Sequence, residues 1–321
     1  MTIPAALQGN LRLPLIGAPM FIVSRPPLII AQCTAGIVGS FPALNARPQS
    51  LLDDWILEIK DGIEKYREEN PGDPVAPFAV NQIVHASNSR LYADMETCVK
   101  HEVPIIITSL RPPEDVVQAV HSYGGLVFHD VISLRHARKA MQQGVDGIIA
   151  VCAGAGGHAG QQSPFALIKE IRREFDGALI LSGCMSNGGD ILAAQAMGAD
   201  LAYMGTRFIA TEEAHAVGEY KQMIVDSHAA DIVYSSYFSG VHGNYLKGSV
   251  SQAGFDPDDL PEGDLSTMDF GKRDENEAKA WRDIWSAGQG SGSVDEVLPT
   301  TELVLRMQQE YEATRARLGA G

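Results

Sequence analysis

Positive charge is scarce in this chain. Its 25 lysines and arginines stand against 40 aspartates and glutamates, a formal net charge of −15 over 321 residues. Nucleic acids and anionic membranes want a basic face, so neither is an expected partner. Cysteine is scarce as well. Cys33, Cys98, Cys152 and Cys184 are scattered, with no CxxC pair and no metal-ligand spacing among histidines and carboxylates. That argues against a disulfide framework or a zinc site, and for a reducing, cytoplasmic setting. No apolar run reaches the length of a bilayer span. The first residues lack the charged-then-apolar order of a secretory leader. No GxGxxG follows the first apolar run, which counts against a dinucleotide-binding sheet. The acidic stretch from Phe255 to Asp264 lacks calcium-loop spacing and reads as solvated loop.

What the chain does have is a rhythm. Eight short apolar runs cover residues 13–18, 37–41, 76–80, 103–107, 126–128, 148–151, 178–181 and 201–204. Helical patterns separate them. The clearest places Leu51, Leu52, Trp55, Ile56, Ile59, Ile63 and Tyr66 at three- and four-residue steps, with Ser50 and Asp53 spaced as in a capping box. Pro112 and Pro113 are read as opening another helix. Runs that are apolar throughout, rather than alternating, indicate a parallel sheet covered by helices. The expected fold is an α/β protein, a (β/α)8 TIM barrel with a small inserted domain or lid near the C-terminus. An open doubly wound sheet is the alternative. Residues 1–209 and 284–321 are assigned to the barrel, including a final helix over about 300–318. Residues 210–283, where the rhythm breaks, are assigned to the insertion.

Barrel chemistry sits at the C-terminal ends of the strands. That singles out Pro19, Met20, Asn81, Thr108, Asp130, His158, Gly183 and Gly205. The stretch GIIAVCAGAGGHAG, from Gly147 to Gly160, is a buried run opening into a glycine loop that carries His158. Glycine lets backbone approach a ligand closely, and histidine is the usual general acid or base. The loops after the seventh and eighth runs, Ser182 to Gly189 and Gly205 to Arg207, match the place where barrels bind phosphate on backbone N–H groups. Of the remaining histidines, His129 is expected to pack, His136 to lie on a helix surface, and His242 either to reach the site from the lid or to make a turn. Tyr237, Phe238 and Tyr245 are candidates for an apolar wall or for the core of the insertion. Trp281 and Trp285 are read as packing residues.

Several segments together resemble the nitronate monooxygenase family, formerly 2-nitropropane dioxygenases. They are GAPM at Gly17 to Met20, FAVN at Phe78 to Asn81, AGGHAG at Ala155 to Gly160, LSGCMSNGGDILAAQAMGAD from Leu181, and MGTRF at Met204 to Phe208. The resemblance covers most of residues 10–210 and resumes at Ile284 to Gly288. It implies an FMN-dependent barrel oxidising small alkyl nitronates with oxygen. By it, Ala18, Pro19 and Met20 line the flavin ring, Asn81 and Asp130 border it, and Ser182, Gly183, Cys184, Gly205 and Thr206 hold or flank the phosphate. Gly288 and Gln289 close over that end. His158 is the base or substrate-orienting group, with Tyr237 and His242 on the substrate side. Relatives usually carry Gly-Gly where this chain has Gly183-Cys184, and some place a lysine where it has Asp130. An FMN-dependent NAD(P)H:quinone reductase or enoyl-reductase-like enzyme uses the same scaffold. Use of NAD(P)H and a homodimer stay open.

Overall fold

A computed structural model describes residues 3–111, 114–264 and 283–319. Eight parallel strands alternate with helices: β1 (Leu15–Gly17), β2 (Gly39–Pro42), β3 (Phe78–Val84), β4 (Ile105–Leu110), β5 (Leu126–Val131), β6 (Gly147–Val151), β8 (Ala178–Ser182) and β9 (Leu201–Met204). Between β6 and β8 lies a two-residue strand, β7 (Gly157–His158), which belongs to a different sheet. The large sheet runs β1-β9-β8-β6-β5-β4-β3-β2. Its two edges meet. Ile16 bridges Val38, the Gly17 N–H donates to Val38 O at 2.8 Å, and the Val38 N–H donates to Leu15 O at 3.1 Å. The sheet is therefore a (β/α)8 barrel and not an open doubly wound sheet.

Side-chain parity explains why the runs are apolar throughout. Successive residues of a strand face opposite sides. Ile105, Ile107, Phe128 and Ile149 fill the barrel interior. Ile106, Val127, Ile148 and Leu179 face outward and pack under the helices. Both faces are buried, so both must be apolar. The strands nonetheless run on past the apolar residues, β4 to Leu110 and β5 to Val131, because ladder pairing continues through the polar top of the barrel.

The helices are α1 (Pro26–Thr34), α2 (Leu51–Glu69), α3 (Leu91–Lys100), α4 (Glu114–His121), α5 (Leu134–Gln142), α6 (Pro164–Arg172) and α7 (Gly188–Met197). Helix α2 buries the predicted stripe of Leu52, Trp55, Ile56, Ile59 and Ile63. Its expected capping box is absent: Ser50 is itself in helical conformation and its side chain caps nothing. A complete capping box stands instead on α7, where Asn187 Oδ1 accepts from the Asp190 N–H and Asp190 accepts from the Asn187 N–H. Pro112 and Pro113 lie outside the described residues.

After the short α8 (Thr206–Ile209) the chain forms α9 (Gly218–Asp226), a hairpin of β10 (Ile232–Ser235) and β11 (Gly243–Leu246), and α10 (Lys247–Gln252). Of the expected insertion 210–283, residues 265–282, with Trp281, lie outside the described residues. Trp285 stacks on Tyr220 of α9 with centroids 4.9 Å apart. The final helix α11 (Thr300–Gly319) is capped by Glu213, which accepts from the Thr300 N–H and hydroxyl. It packs across α7, where Gly188 is required: a methyl there would overlap the Met307 carbonyl.

Candidate active site

A cavity of about 480 Å3 opens at the C-terminal mouth of the barrel. Ala18, Pro19, Met20, Asn81, Asp130, His158, Ser182, Gly205 and Thr206 all line it, so most of the residues singled out from sequence come together. Gly183, Cys184, Gly288 and Gln289 do not line it: Gly183 and Gly288 are buried, and Cys184 and Gln289 are exposed. The Gly288 N–H donates to Thr206 Oγ1 at 2.8 Å, and the Gln289 N–H donates to Gly154 O at 2.9 Å. Both amides are thereby committed to protein. Cys184 adopts φ +56°, the left-handed region that favours glycine. This explains structurally why a glycine pair suits the turn. The Cys184 thiol lies 3.4 Å from Ala153 O, and burial raises its pKa.

Tyr237 and His242 do not line the cavity among the described residues. Tyr237 packs edge-on against Phe238 and Phe255. His242 stacks on Tyr234, and its carbonyl accepts from the Ala159 N–H at 3.2 Å. Thr108 faces outward with His129, the two joined at 2.8 Å and buried. Burial pushes His129 down to about 4. The residue that lines the cavity is the next one, Ser109, which parity turns inward. His136 is exposed, as expected of a helix-surface residue, but also reaches the cavity rim.

The wall formed by β3, β4 and β5 is a directed chain of hydrogen bonds. Asn81 Nδ2 donates to Ile107 O at 3.2 Å and to Ser109 Oγ at 2.9 Å. The Ser109 hydroxyl donates to Asp130 Oδ2 at 2.6 Å. Both protons of the Asn81 amide are spent, so it offers a ligand only its oxygen. Asp130 Oδ1 is buried and has no protein partner. Burial pushes Asp130 up to about 6, against the opposing pull of Ser109. Tyr203 of β9 is raised far above its ordinary value, by burial first and by Asp130 second.

His158 is placed by a second sheet. β7 pairs antiparallel with β11, Gly243 opposite His158 and Asn244 opposite Gly157. Gly243 is needed there, since a Cβ would come 2.9 Å from Gly157 O. Asn244 Nδ2 donates to Ala155 O at 2.6 Å, pinning the glycine loop from below. His158 Nε2 meets Ser239 Oγ at 2.8 Å. Ser239 donates its one proton to Val241 O at 3.0 Å and lies 3.3 Å from Tyr245 Oη. In the arrangement where Ser239 gives its proton to Val241 O, His158 Nε2 is the donor and Nδ1 carries the lone pair of the neutral ring. Burial pushes the ring down to about 4, so it is neutral at physiological pH. No motif in the sequence marked Ser239 or Asn244; both act across the chain, on the loop that carries His158.

These residues fit a flat heteroaromatic cofactor with a phosphate tail. The volume lies within the range of cofactor sites. Ala18, Pro19 and Met20 give an apolar platform, and the Asn81 and Asp130 oxygens await donors. At the start of α8 the Phe208 and Ile209 amides donate to Gly205 O, at 2.8 and 3.3 Å, while the Thr206 and Arg207 amides precede the first helical bond. A Cβ on Gly156 would come 2.8 Å from the Gly288 N and 3.1 Å from Thr206 Oγ1, so the loops close only as glycine. No cluster that could hold a metal ion occurs among the described residues, and no described helix is long and apolar enough to cross a membrane.

A (β/α)8 barrel with a cavity at its C-terminal mouth places the chain among TIM-barrel proteins, and comparison with known proteins specifies the family. Residues 30–310 match the nitronate monooxygenase family, and the chain belongs to it. It is 26% identical to a nitronate monooxygenase of Paraburkholderia phytofirmans, over 95% of this chain and 94% of that one. Its fold is similar to that of a nitroalkane oxidase from Streptomyces ansochromogenes, with TM-score 0.77 and 23% identity over 98% of this chain and all of the other. FabK from Thermotoga maritima is similar in fold to the same degree, TM-score 0.77, at 22% identity over 100% of this chain and 99% of that one.

Proposed function

We propose that this protein uses FMN to oxidise small alkyl nitronates and nitroalkanes with molecular oxygen, giving a carbonyl compound and nitrite. The observation that carries the reading is a neutral, half-buried His158 facing the same cavity as the apolar platform and the acceptor wall, in a member of this family. When bound, FMN supplies electron transfer between substrate and oxygen. The protein supplies the rest. Ala18, Pro19 and Met20 support the ring, and Asn81 and Asp130 accept hydrogen bonds at its edge. Gly205 and Thr206 hold the phosphate, with Ser182, Gly183 and Cys184 beside it and Gly288 and Gln289 locking the loops. Residues 210–264 form the substrate-side wall. His158 takes the proton from the carbon beside the nitro group on Nδ1. The bonding pair of that C–H moves onto the nitro oxygens, and the imidazolium then faces the anion it has made.

The test is anaerobic mixing of the purified protein with propionate 3-nitronate, NADH and NADPH in turn. Bleaching of a flavin spectrum by the nitronate, with nitrite released on admitting oxygen, is expected. Bleaching by NADH alone, with no response to nitronates, would make it a nicotinamide-dependent reductase on this scaffold.

A further inference from the structure

We propose that Asn45 is a positioning residue that shapes the mouth of this cavity into a binding site for a linear alkyl chain, so that the substrate carries a chain and not only the methyl or ethyl group of the smallest nitroalkanes. Assigning the chain to the substrate rests on the proposed reaction; the chain site itself does not.

Ile22, in the turn after β1, stands at φ +70°. A β-branched residue rarely takes that conformation, and such strain persists only where the surroundings impose it. Asn45 imposes it. Its Oδ1 accepts from the Ile22 N–H at 2.9 Å, and its Nδ2 donates to Met20 O at 3.0 Å and to Ser24 O at 2.9 Å. Ser24 closes the turn: its hydroxyl accepts from the Met20 N–H at 2.9 Å, and its N–H donates to Met20 O at 3.0 Å. With the reversal placed at Ile22, Phe21 and Val23 line the cavity and Ile22 does not. The Arg47 guanidinium covers the Phe21 ring, 5.9 Å from its centroid. Asn45 itself does not line the cavity, so it acts through the turn.

The turn completes an apolar mouth. Phe21 lines the cavity together with Ile83 of β3, Leu110 at the end of β4, Ile132 just after β5 and Val241 between β10 and β11. Leu110 and Ile132 are 38% and 43% exposed, and the others are half-buried. None of them is among the residues assigned to the cofactor. Apolar surface left open at a cavity mouth is withdrawn from water when a chain covers it. A two-carbon substrate has too little surface to cover these side chains.

The 1-alkanols carry a chain but neither nitro group nor charge, so their binding is read without turnover. Calorimetric titration of the protein as purified with 1-butanol, 1-hexanol and 1-octanol is expected to show Kd falling about fourfold per methylene, roughly two-hundredfold across the series. Asn45→Ala releases Ile22 from the left-handed region and flattens the series. Adding Ile22→Gly, which makes that region accessible without Asn45, restores it; a role in folding alone would not tie chain length to this pair. Ile132→Ser, at the exposed rim, weakens 1-octanol more than 1-butanol. A wild-type Kd that does not fall with chain length, a slope that Asn45→Ala leaves intact, or a double variant that stays flat would overturn the proposal, and the wild-type series decides even where a variant fails to fold. A steep series in a protein whose flavin no nitronate bleaches would sink the nitronate reading and leave the chain site standing; nitronate turnover with a flat series would do the reverse.

Discussion

Asp130 makes a prediction about stability that needs no ligand. An unperturbed aspartate ionises near pH 3.8, and burial moves this one to about 6. Between those values the folded state holds a proton that the unfolded state has released. Stability therefore falls as pH rises through this window, and the loss is complete above about 6. A shift of this size corresponds to about 3 kcal/mol at pH 8 and to about 0.5 kcal/mol at pH 4. Asp130→Asn keeps the oxygen that accepts from Ser109 and cannot ionise. It is expected to stabilise the protein by an amount that grows with pH, reaching roughly 4 °C in Tm at pH 8 for a chain of this length. Thermal unfolding of wild type and variant in matched buffers at pH 4 and pH 8 measures this directly. A gain that is the same at both pH values, or a variant less stable at pH 8, would refute the assignment of Asp130 as a buried acid without a compensating partner.

Other perturbations test the remaining contacts. Ser239→Ala removes the acceptor that holds the His158 tautomer; nitronate turnover should fall about tenfold with flavin content unchanged, as for one lost hydrogen bond. Asn244→Ala leaves the Ala155 carbonyl without its buried donor and should lower stability by about 1–3 kcal/mol in chemical denaturation. Gly188→Ala forces α7 away from α11 and should cost about 3 kcal/mol or more, read as lost soluble yield or a lowered Tm. Gly156→Ala should weaken FMN retention on dialysis while leaving the barrel folded, because its Cβ would press on the Thr206 and Gly288 contact.

The barrel was legible in the sequence because its strands are buried on both faces, which writes each as an unbroken apolar run. Strand ends were less legible. Thr108-Ser109 and His129-Asp130 are polar pairs at which apolarity stops but pairing continues, and only the parity set by Ile105 and Ile107 tells which member faces inward. Parity selects Ser109 over Thr108. Capping misled at Ser50, where the spacing is right but the backbone is already helical. The setting of His158 could not be read locally at all. A two-residue strand has no periodicity, and its partner lies far along the chain at Gly243 and Asn244. The glycine at 243, two residues from the β-formers Val241 and Tyr245, is a local trace of that close approach.

That pairing divides the labour of the site between separate parts of the chain. The loops proposed to hold the phosphate, and the apolar platform, come from the ends of β1, β8 and β9, whereas the histidine is aimed by a hairpin whose Ser239 lies 81 residues beyond it. A change of length or register in that hairpin re-aims the imidazole without touching the surfaces assigned to the cofactor. Within one barrel, the reactive group can therefore be retuned for a new substrate while the cofactor half is inherited intact.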